Sequence, residues 1–456
     1  MNKILLLSLI CIQNALAQDG GIDFTFESDA DLNNTVQIIT VQDDGKILVG
    51  GLFSSNLYRL NNDGTQDNTF MPWNSSMSSV LSIAVQNDAK IIIGGTFQGG
   101  LRRLNSDGST DASFVCNIPD AYIKNIEALD NGKIMVAGFF SEINGTEIRG
   151  IARLNSDGSL DTSFNCNLPV GTSIRDFGFQ SDGKLLIAGE SSNVDNPSMI
   201  LLFRRYNTNN SQDVSFNNGG NNANSNIYDI EVLADDKVLI TGWFTEFNSI
   251  SRNCIAKLNS DGSLDTSFAS YNLTDPETGD LFSIFGAKEL PDNKYLINGS
   301  FHNYGGLSSN GLAKINADGT RDNSFNVGTG ADDIIWNTAI QDDGKVLIGG
   351  QFTSYNATQR NKIARLGNTL GITQQVNHPD WVLYPNPCRG NLSVSGDAAR
   401  NVEMIEVINS VGQRIKTQKL QSGITQTLFT EDLPAGAYIL KIFSGAVISY
   451  QKFVKI

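Results

Sequence analysis

The sequence predicts an all-β protein: a seven-bladed β-propeller closed by its own N-terminal strand, followed by a small C-terminal β-sandwich. Three observations carry this. A tail of the form Asp-x-Ser/Thr-Phe recurs seven times, ending at Phe26, Phe70, Phe114, Phe164, Phe216, Phe268 and Phe325. A core typified by Gln42-Asp-Asp-Gly-Lys-Ile-Leu-Val-Gly-Gly51 also recurs seven times, around Lys46, Lys90, Lys133, Lys184, Lys237, Lys294 and Lys345. The cores are spaced by roughly 50 residues, among the periods that mean propellers or solenoids. Finally, the ends are complementary. Asp19-Gly-Gly-Ile-Asp23-Phe-Thr-Phe26 is a tail without a core before it, whereas the last core, 341–352 with Ile363-Ala-Arg-Leu366, has no tail after it. Joined, they complete one blade and remove the free sheet edges that an open solenoid would have to cap.

In chain order, Met1-Asn-Lys3, the apolar run 4–12 and Ala15-Leu-Ala17 read as a secretory signal peptide spanning 1–17. The propeller follows over 18–366. Each unit reads as four short strands, a to d, with Asp-Gly turns between a and b and between c and d. In the first unit, strand a covers about 36–41, b 47–53 and c 57–61, and d ends at Phe70. Antiparallel order places the repetitive a–b and c–d turns on one face, and the d–a and b–c loops on the other. The b–c loops vary most, from three residues (54–56, 98–100) to ten (141–150, 245–254, 302–311, 353–362). Variable loops on a regular scaffold are where binding sites are usually placed. The fourth unit departs from the pattern, with Ser191 for the Phe after strand b and Asn209-Asn210 for the Asp-Gly turn, and is expected to be the loosest blade. A polar linker over 367–380 leads to the sandwich at 381–456, where alternating strands and Gly turns resume.

Composition narrows the function. A net charge of −15 and a pI of about 4.6 exclude a nucleic-acid groove and any attraction to anionic membranes. No stretch reaches the ~18 apolar residues of a transmembrane segment. Only His302 and His378 are present, so neither a Ser-His-Asp triad nor a His-based metal site has its parts, and no catalytic or metal residues are assigned. Cys116 and Cys166 are equivalent in neighbouring units. Equivalent positions on adjacent blades normally exceed the ~7 Å Cα limit for bridging, so thiols are expected rather than a disulfide.

Two residue sets stand out. The tail Asp (Asp23, Asp67, Asp111, Asp161, Asp213, Asp265, Asp322) and a basic residue in strand c (Arg59, Arg103, Arg153, Arg205, Lys257, Lys314, Arg365) occur in every unit, and are read as a structural network locking d to c. Asn155-Ser-Asp157-Gly158 has part of a calcium-loop spacing. Arg153 and Phe164 fall where ligands belong, however, so an Asx turn is preferred and no cofactor is expected, calcium being the alternative. Near the start of strand a, Ser82, Asn125, Asp176, Asp229 and Asn337 each follow a variable residue, Trp336 among them. They are read as a polar ring at the mouth of the central channel, joined by Trp73, Tyr122 and Tyr271 from the d–a loops into a candidate ligand pocket.

The repeat, Asp-Gly-Lys, two Gly, Phe, then Arg-Leu-Asn-x-Asp-Gly-x-x-Asp-x-Ser-Phe, resembles the bacterial delta-60 repeat family over about residues 19–366. The resemblance implies a propeller in secreted proteins, with no catalytic residues to carry over. Leu383-Tyr-Pro-Asn-Pro387, Gly390-Asn-Leu-Ser-Val394, Ile405-Glu-Val-Ile-Asn-Ser-Val-Gly-Gln413, Leu433-Pro-Ala-Gly-Ala-Tyr-Ile-Leu-Lys-Ile442 and Lys452-Phe-Val-Lys455 resemble the type A sorting domain of type IX secretion in the Bacteroidetes. That resemblance implies export across the outer membrane, with the type IX machinery as partner for residues 381–456. The expectation is therefore a non-enzymatic surface or secreted binding or adhesion module, with a glycan or surface protein as candidate ligand. The alternatives are an extracellular polysaccharide hydrolase or lyase using the central pocket, and a purely structural surface component.

Overall fold

The computed structural model describes residues 20–367, apart from 72, 74–77, 194–195 and 274–280, together with the strands and adjoining turns between 382 and 455. The expected signal peptide and, Gly367 aside, the expected linker lie outside the described residues. Every regular element among the described residues is a β-strand.

Seven antiparallel blades follow one another. Their strands a, b and c are Val36–Val41, Ile47–Gly51 and Leu57–Leu60 in blade 1, and Val80–Val85, Ile91–Gly95 and Leu101–Leu104 in blade 2. Blade 3 has Tyr122–Ala128, Ile134–Phe139 and Ile151–Leu154, and blade 4 Thr172–Phe179, Leu185–Asn193 and Asn196–Tyr206. Blade 5 has Asn226–Val232, Val238–Trp243 and Ile255–Leu258, blade 6 Ile284–Glu289, Tyr295–Gly299 and Leu312–Ile315, and blade 7 Ile335–Ile340, Val346–Gly350 and Ile363–Leu366. Strand b reads as an unbroken apolar run because both of its faces are covered by neighbouring blades, and in blades 1, 2, 6 and 7 all five of its residues are buried. The second glycine of the core motif is required by close approach: a Cβ on Gly51 would lie 2.1 Å from the Thr35 carbonyl oxygen, where strand a begins.

The apolar clusters lie between blades rather than inside them, as stacking requires. Leu48, Leu57 and Phe70 of blade 1 pack with Val80, Ile91 and Ile93 of blade 2. Leu347 and Ile363 of blade 7 likewise share a cluster with Val36, Ile47 and Val49 of blade 1, so the ring is shut. The N-terminal segment completes blade 7 as expected. Ile22 bridges Leu366, the Asp23 amide donates to the Arg365 carbonyl at 2.8 Å, and the Gly367 amide to that of Gly21 at 2.7 Å.

Strand d differs from the expectation. It is not a ladder strand but a single bridge to strand c, such as Leu60 to Gln66 or Leu154 to Leu160, followed by a tight turn in which the Phe amide donates to the tail Asp carbonyl. The Asp side chain diverts the backbone: Asp67 Oδ1 accepts from the Thr69 amide at 3.0 Å and its hydroxyl at 2.6 Å, a local alternative to sheet pairing. The ten-residue b–c loops each contain a two-residue hairpin, for example Glu246–Phe247 with Ile250–Ser251. In blade 4, Asn210 takes the left-handed conformation of the missing glycine (φ 67°), and Asn209 accepts from the Ser211 amide as the Asp does elsewhere. The blade thus keeps its turn and extends its b–c hairpin to the longest in the ring.

The C-terminal residues form a separate compact unit. Val382–Tyr384, Asn391–Ser395 and Thr425–Phe429 make one sheet, and Arg414–Lys419, Met404–Ile408, Gly436–Ser444 and Val447–Lys455 another. Leu392, Val394 and Leu428 from the first share a core with Ile405, Val407, Leu440, Ile442 and Phe453 from the second.

Candidate functional site

The two residue sets separate by depth and role. The tail aspartates form latches. In blade 1, Asp67 Oδ2 receives Arg59 Nε at 2.8 Å and Lys46 Nζ at 2.7 Å, while the Arg59 guanidinium lies 4.6 Å from the Phe70 ring centre and donates to the Ser106 carbonyl of the next blade. Arg103–Asp111, Arg153–Asp161, Arg205–Asp213 and Arg365–Asp23 repeat the pair at 2.7–2.9 Å. The Lys of Asp-Gly-Lys is a third member missed from sequence, although its presence in every core was the available signal. Blade 5 departs from the expected pair: Lys257, shorter than Arg, ends on Tyr295 Oη at 2.8 Å, and Asp265 faces Lys237 at 3.6 Å instead. Although burial alone would raise the Asp23 carboxyl, Thr25, Arg365 and Lys345 hold it down at about 2. The 155–161 stretch forms the Asx turn, with Asp157 Oδ1 accepting from the Ser159 amide and hydroxyl. Among the described residues no group of three or more His, Cys, Asp or Glu could hold a metal ion.

The central channel encloses about 490 Å³ and is lined by the seven inner strands. Each strand a carries a β-bulge at the same place, marked by a register shift between Val36 and Ile38, Val80 and Ser82, Ile123 and Asn125, Ile174 and Asp176, Ile227 and Asp229, Ile284 and Gly286, and Ile335 and Asn337. Bulges re-aim side chains. Here they put two residues per blade toward the axis: the bulged one at the mouth, and its successor one layer deeper.

Around the mouth, the bulged residues of blades 4 to 7 build a continuous stack. The Arg175 guanidinium lies 5.1 Å from the Tyr228 ring centre, Tyr228 stacks on Phe285 at 5.8 Å, and Phe285 on Trp336 at 4.3 Å and 26°. Glu190 fixes Arg175 by two bonds of 2.8 and 2.9 Å. Trp336 Nε1 is buried without a hydrogen-bond partner among the described residues.

In the deeper layer, the side chains of Asp176, Asp229 and Asn337 reach the main chain of the next blade. Asp176 accepts from the Ile230 amide at 2.6 Å, Asp229 from the Ala287 amide at 3.0 Å, and Asn337 from the Ile39 amide at 3.0 Å across the closure. Asn125 donates to Asp176. Burial and then the Asp229 charge push the Asp176 carboxyl well above its ordinary range, and burial does the same to Asp229, partly offset by Lys288. Below them Lys288 meets Glu231 at 3.1 Å and keeps 44% of its side-chain surface open.

Of the seven predicted pocket residues, Asn125, Asp176, Asp229, Trp336 and Asn337 come together here, and Trp73 and Tyr122 do not line the channel. Trp73 bridges Leu57 at the outer side of blade 1 and packs edge-on against Phe97, because the d–a segment passes strand c before turning inward. Tyr122 opens strand a but lies outside the channel lining, its hydroxyl 3.0 Å from Lys124 Nζ. Tyr271 packs on Tyr304. Phe285, Gly286, Glu231 and Lys288 were missed: Gly286 holds the ring position of blade 6 itself, Phe285 is the bulged residue before it, and Glu231 and Lys288 lie two residues further along strand a from the ring positions of blades 5 and 6.

With the fold in view, the chain matches the family model described as "Domain of unknown function (DUF5122) beta-propeller" at residues 42–70, 86–114, 129–164, 180–216, 233–268, 290–325 and 341–368. The chain belongs to this DUF5122 β-propeller family. Residues 382–456 match the secretion system C-terminal sorting domain, so this DUF5122 propeller is exported by type IX secretion to the cell surface or beyond. No curated protein matches the sequence. Among solved structures, PorZ, a surface component of the type IX secretion system of Porphyromonas gingivalis, is 14% identical, with a TM-score of 0.45 over 95% of this chain. The chain spans 61% of the PorZ chain. YCF48 from Cyanidioschyzon merolae is 11% identical over 74% of this chain and 97% of its own, with a TM-score of 0.41. A gluconolactonase from Xanthomonas campestris, XC5397, is 12% identical over 75% and 96%, with a TM-score of 0.40. Among the described residues no helix is long and apolar enough to cross a membrane.

Proposed function

We propose that the protein is an exported, non-catalytic binding module whose ligand enters the central channel from the variable face. One observation supports this above the rest. Asn337 performs, with a neutral carbonyl oxygen, the same inter-blade bond that Asp176 and Asp229 perform with carboxylates. Closing the inner ring therefore needs no charge, and at Ile38 and Gly286 the position carries no polar side chain at all. Two adjacent carboxyl groups kept in a desolvated wall cost stability that the scaffold does not repay, whether they ionise or hold a proton, so they are retained for a ligand. The stacked rings above them supply the apolar half of such a pocket.

The competing reading, a polysaccharide hydrolase or lyase, rests on the same two carboxyl groups, since neighbouring acids with raised pKa values suit acid–base work. Against it, each already spends an oxygen on a backbone amide. The test is a glycan array and a panel of chromogenic glycosides on the full-length chain. Saturable binding without turnover, weakened by Asp229→Asn, supports the module; turnover abolished by Asp176→Asn or Asp229→Asn replaces it with the hydrolase. Self-association into a layer with no glycan bound would favour a structural component.

A further inference from the structure

We propose that Gly286 opens a hydroxyl-binding niche in the channel wall, and that the ligand is a neutral saccharide presenting a pair of neighbouring hydroxyls there. This rests on the preceding reading of the channel as the binding site.

In the deeper layer, Asp229 and Asn337 stand on either side of blade 6, where Gly286 has no side chain. A Cβ built on Gly286 meets Asn298 first, its Oδ1 at 3.1 Å, so with no side chain at Gly286 the strand b residue Asn298 reaches the channel wall and floors the gap. Around the gap the bonding capacity is mixed and partly unspent. Asp229 uses Oδ2 for the Ala287 amide, and Oδ1 has no partner among the described residues. Asn337 uses Oδ1 for the Ile39 amide, leaving the two Nδ2 hydrogens. Lys288, two residues along from Gly286, spends one hydrogen on Glu231. Toward the mouth, Phe285 and Trp336 form an apolar wall.

Charge selects the ligand class. A cationic ligand would meet the resident Lys288 ammonium, and an anionic one would meet Asp229 and Glu231. A hydroxyl both donates and accepts, so one can give to Asp229 Oδ1 while taking from Lys288, and its neighbour can take from Asn337 Nδ2. A ring that carries adjacent hydroxyls on one edge and C–H groups on its faces also matches the aromatic wall.

Gly286 is not in the left-handed region, so the backbone accepts a side chain there. Its Cβ would press on Asn298 Oδ1, and Asn298 is buried and donates to the Ile335 carbonyl at 3.1 Å, so filling the niche shifts Asn298 by a few tenths of an ångström. The experiment is calorimetric titration of the full-length chain with methyl mannoside, methyl galactoside, methyl glucoside, fucose and N-acetylglucosamine, and with cadaverine as a cationic probe. The expected result is that at least one saccharide binds saturably, with affinity falling tenfold or more in Gly286→Leu and less in Gly286→Ala, both variants keeping a single cooperative melting transition. Affinity unchanged in Gly286→Leu but lost in Trp336→Ala overturns the niche and leaves the channel reading intact. Binding that survives Gly286→Leu, Asp229→Asn and Trp336→Ala alike overturns both. Binding of cadaverine alone, or of no saccharide, overturns the assigned ligand class.

Discussion

Replacing Arg365 by alanine tests how much of the ring's stability is concentrated at its closure. The side chain is 4% exposed. Its Nε is 2.9 Å from Asp23 Oδ2, Nη2 is 3.1 Å from Thr25 Oγ1, Nη1 donates to the Asn62 carbonyl of blade 1, and the guanidinium lies 5.0 Å from the Phe26 ring centre. Removing it leaves Asp23 with Lys345, at 3.3 Å and partly exposed to solvent screening, as its remaining cation, and cuts the bond to the next blade. Breaking a buried pair from one side costs ~3–5 kcal/mol. An unfolding entropy of ~2.1 cal/mol/K per residue over roughly 350 residues makes that a fall of ~4–7 °C in Tm. Arg153, 27% exposed, makes the same pair with Asp161 at 2.7 Å. It bonds Ser163 within its own tail rather than a carbonyl of blade 4, so Arg153→Ala should cost about half as much. Calorimetry of the two variants, with Asp23→Asn and the Asp23→Asn/Arg365→Ala double variant to isolate the coupling, gives the comparison. An Arg365→Ala midpoint within about 1 °C of wild type, or no lower than that of Arg153→Ala, would refute the assignment of the closure as the tighter latch.

Three further outcomes are expected. The latch carboxyls of Asp23, Asp213 and Asp322 are held down at about 2, so their contribution is complete above the ordinary carboxylate range and lost as pH falls toward 2; a Tm that holds or rises on acidification from pH 5 to pH 2 would contradict this. Asp176 has the opposite sign, since its raised carboxyl stabilises the fold below the ordinary value and loses that contribution as pH rises. Asp176→Asn should therefore gain at least about 1 kcal/mol on wild type between pH 4 and pH 8, read from urea midpoints at the two pH values, and an unchanged difference would dismiss the raised carboxyl. Burial pushes the Cys166 and Cys254 thiols up to about 12, so at pH 8 a disulfide exchange reagent should label them only after unfolding, and fast labelling of the native protein would show the packing around them to be wrong.

The blade count, the closure and the Arg–Asp latches were legible because each repeats with the period of the chain, so that one misread copy is corrected by six others. What was not legible follows from local backbone events. The tail was expected to pair along strand c, yet Asp67 and its counterparts spend their side chains on the amide two residues on, and that bond curls the segment away after one bridge. The bulge is likewise silent in the sequence, since a strand with an extra residue has the same letters as one without. Reading strict alternation would send either Trp336 or Asn337 inward, whereas the bulge sends both, and it brings Phe285, Gly286 and Lys288 to the same wall. Trp73 and Tyr122 were placed near the channel by loop membership alone, which says which face a residue is on but not its distance from the axis.

That the pairing of Ile22 with Leu366 spans nearly the whole propeller has a bearing on how the molecule comes into being. Loop-closure entropy grows only slowly with length, so the join costs little more than a short one at equilibrium. It is paid for in time, because contacts this distant in sequence form late. A polypeptide arriving from its amino end must carry its first ordered residues unmatched until the final sheet has been delivered, and until then the outer edge of that sheet is open to any passing strand. Once made, the join is also where the finished ring can fray, since opening it exposes one sector and leaves the other six stacked.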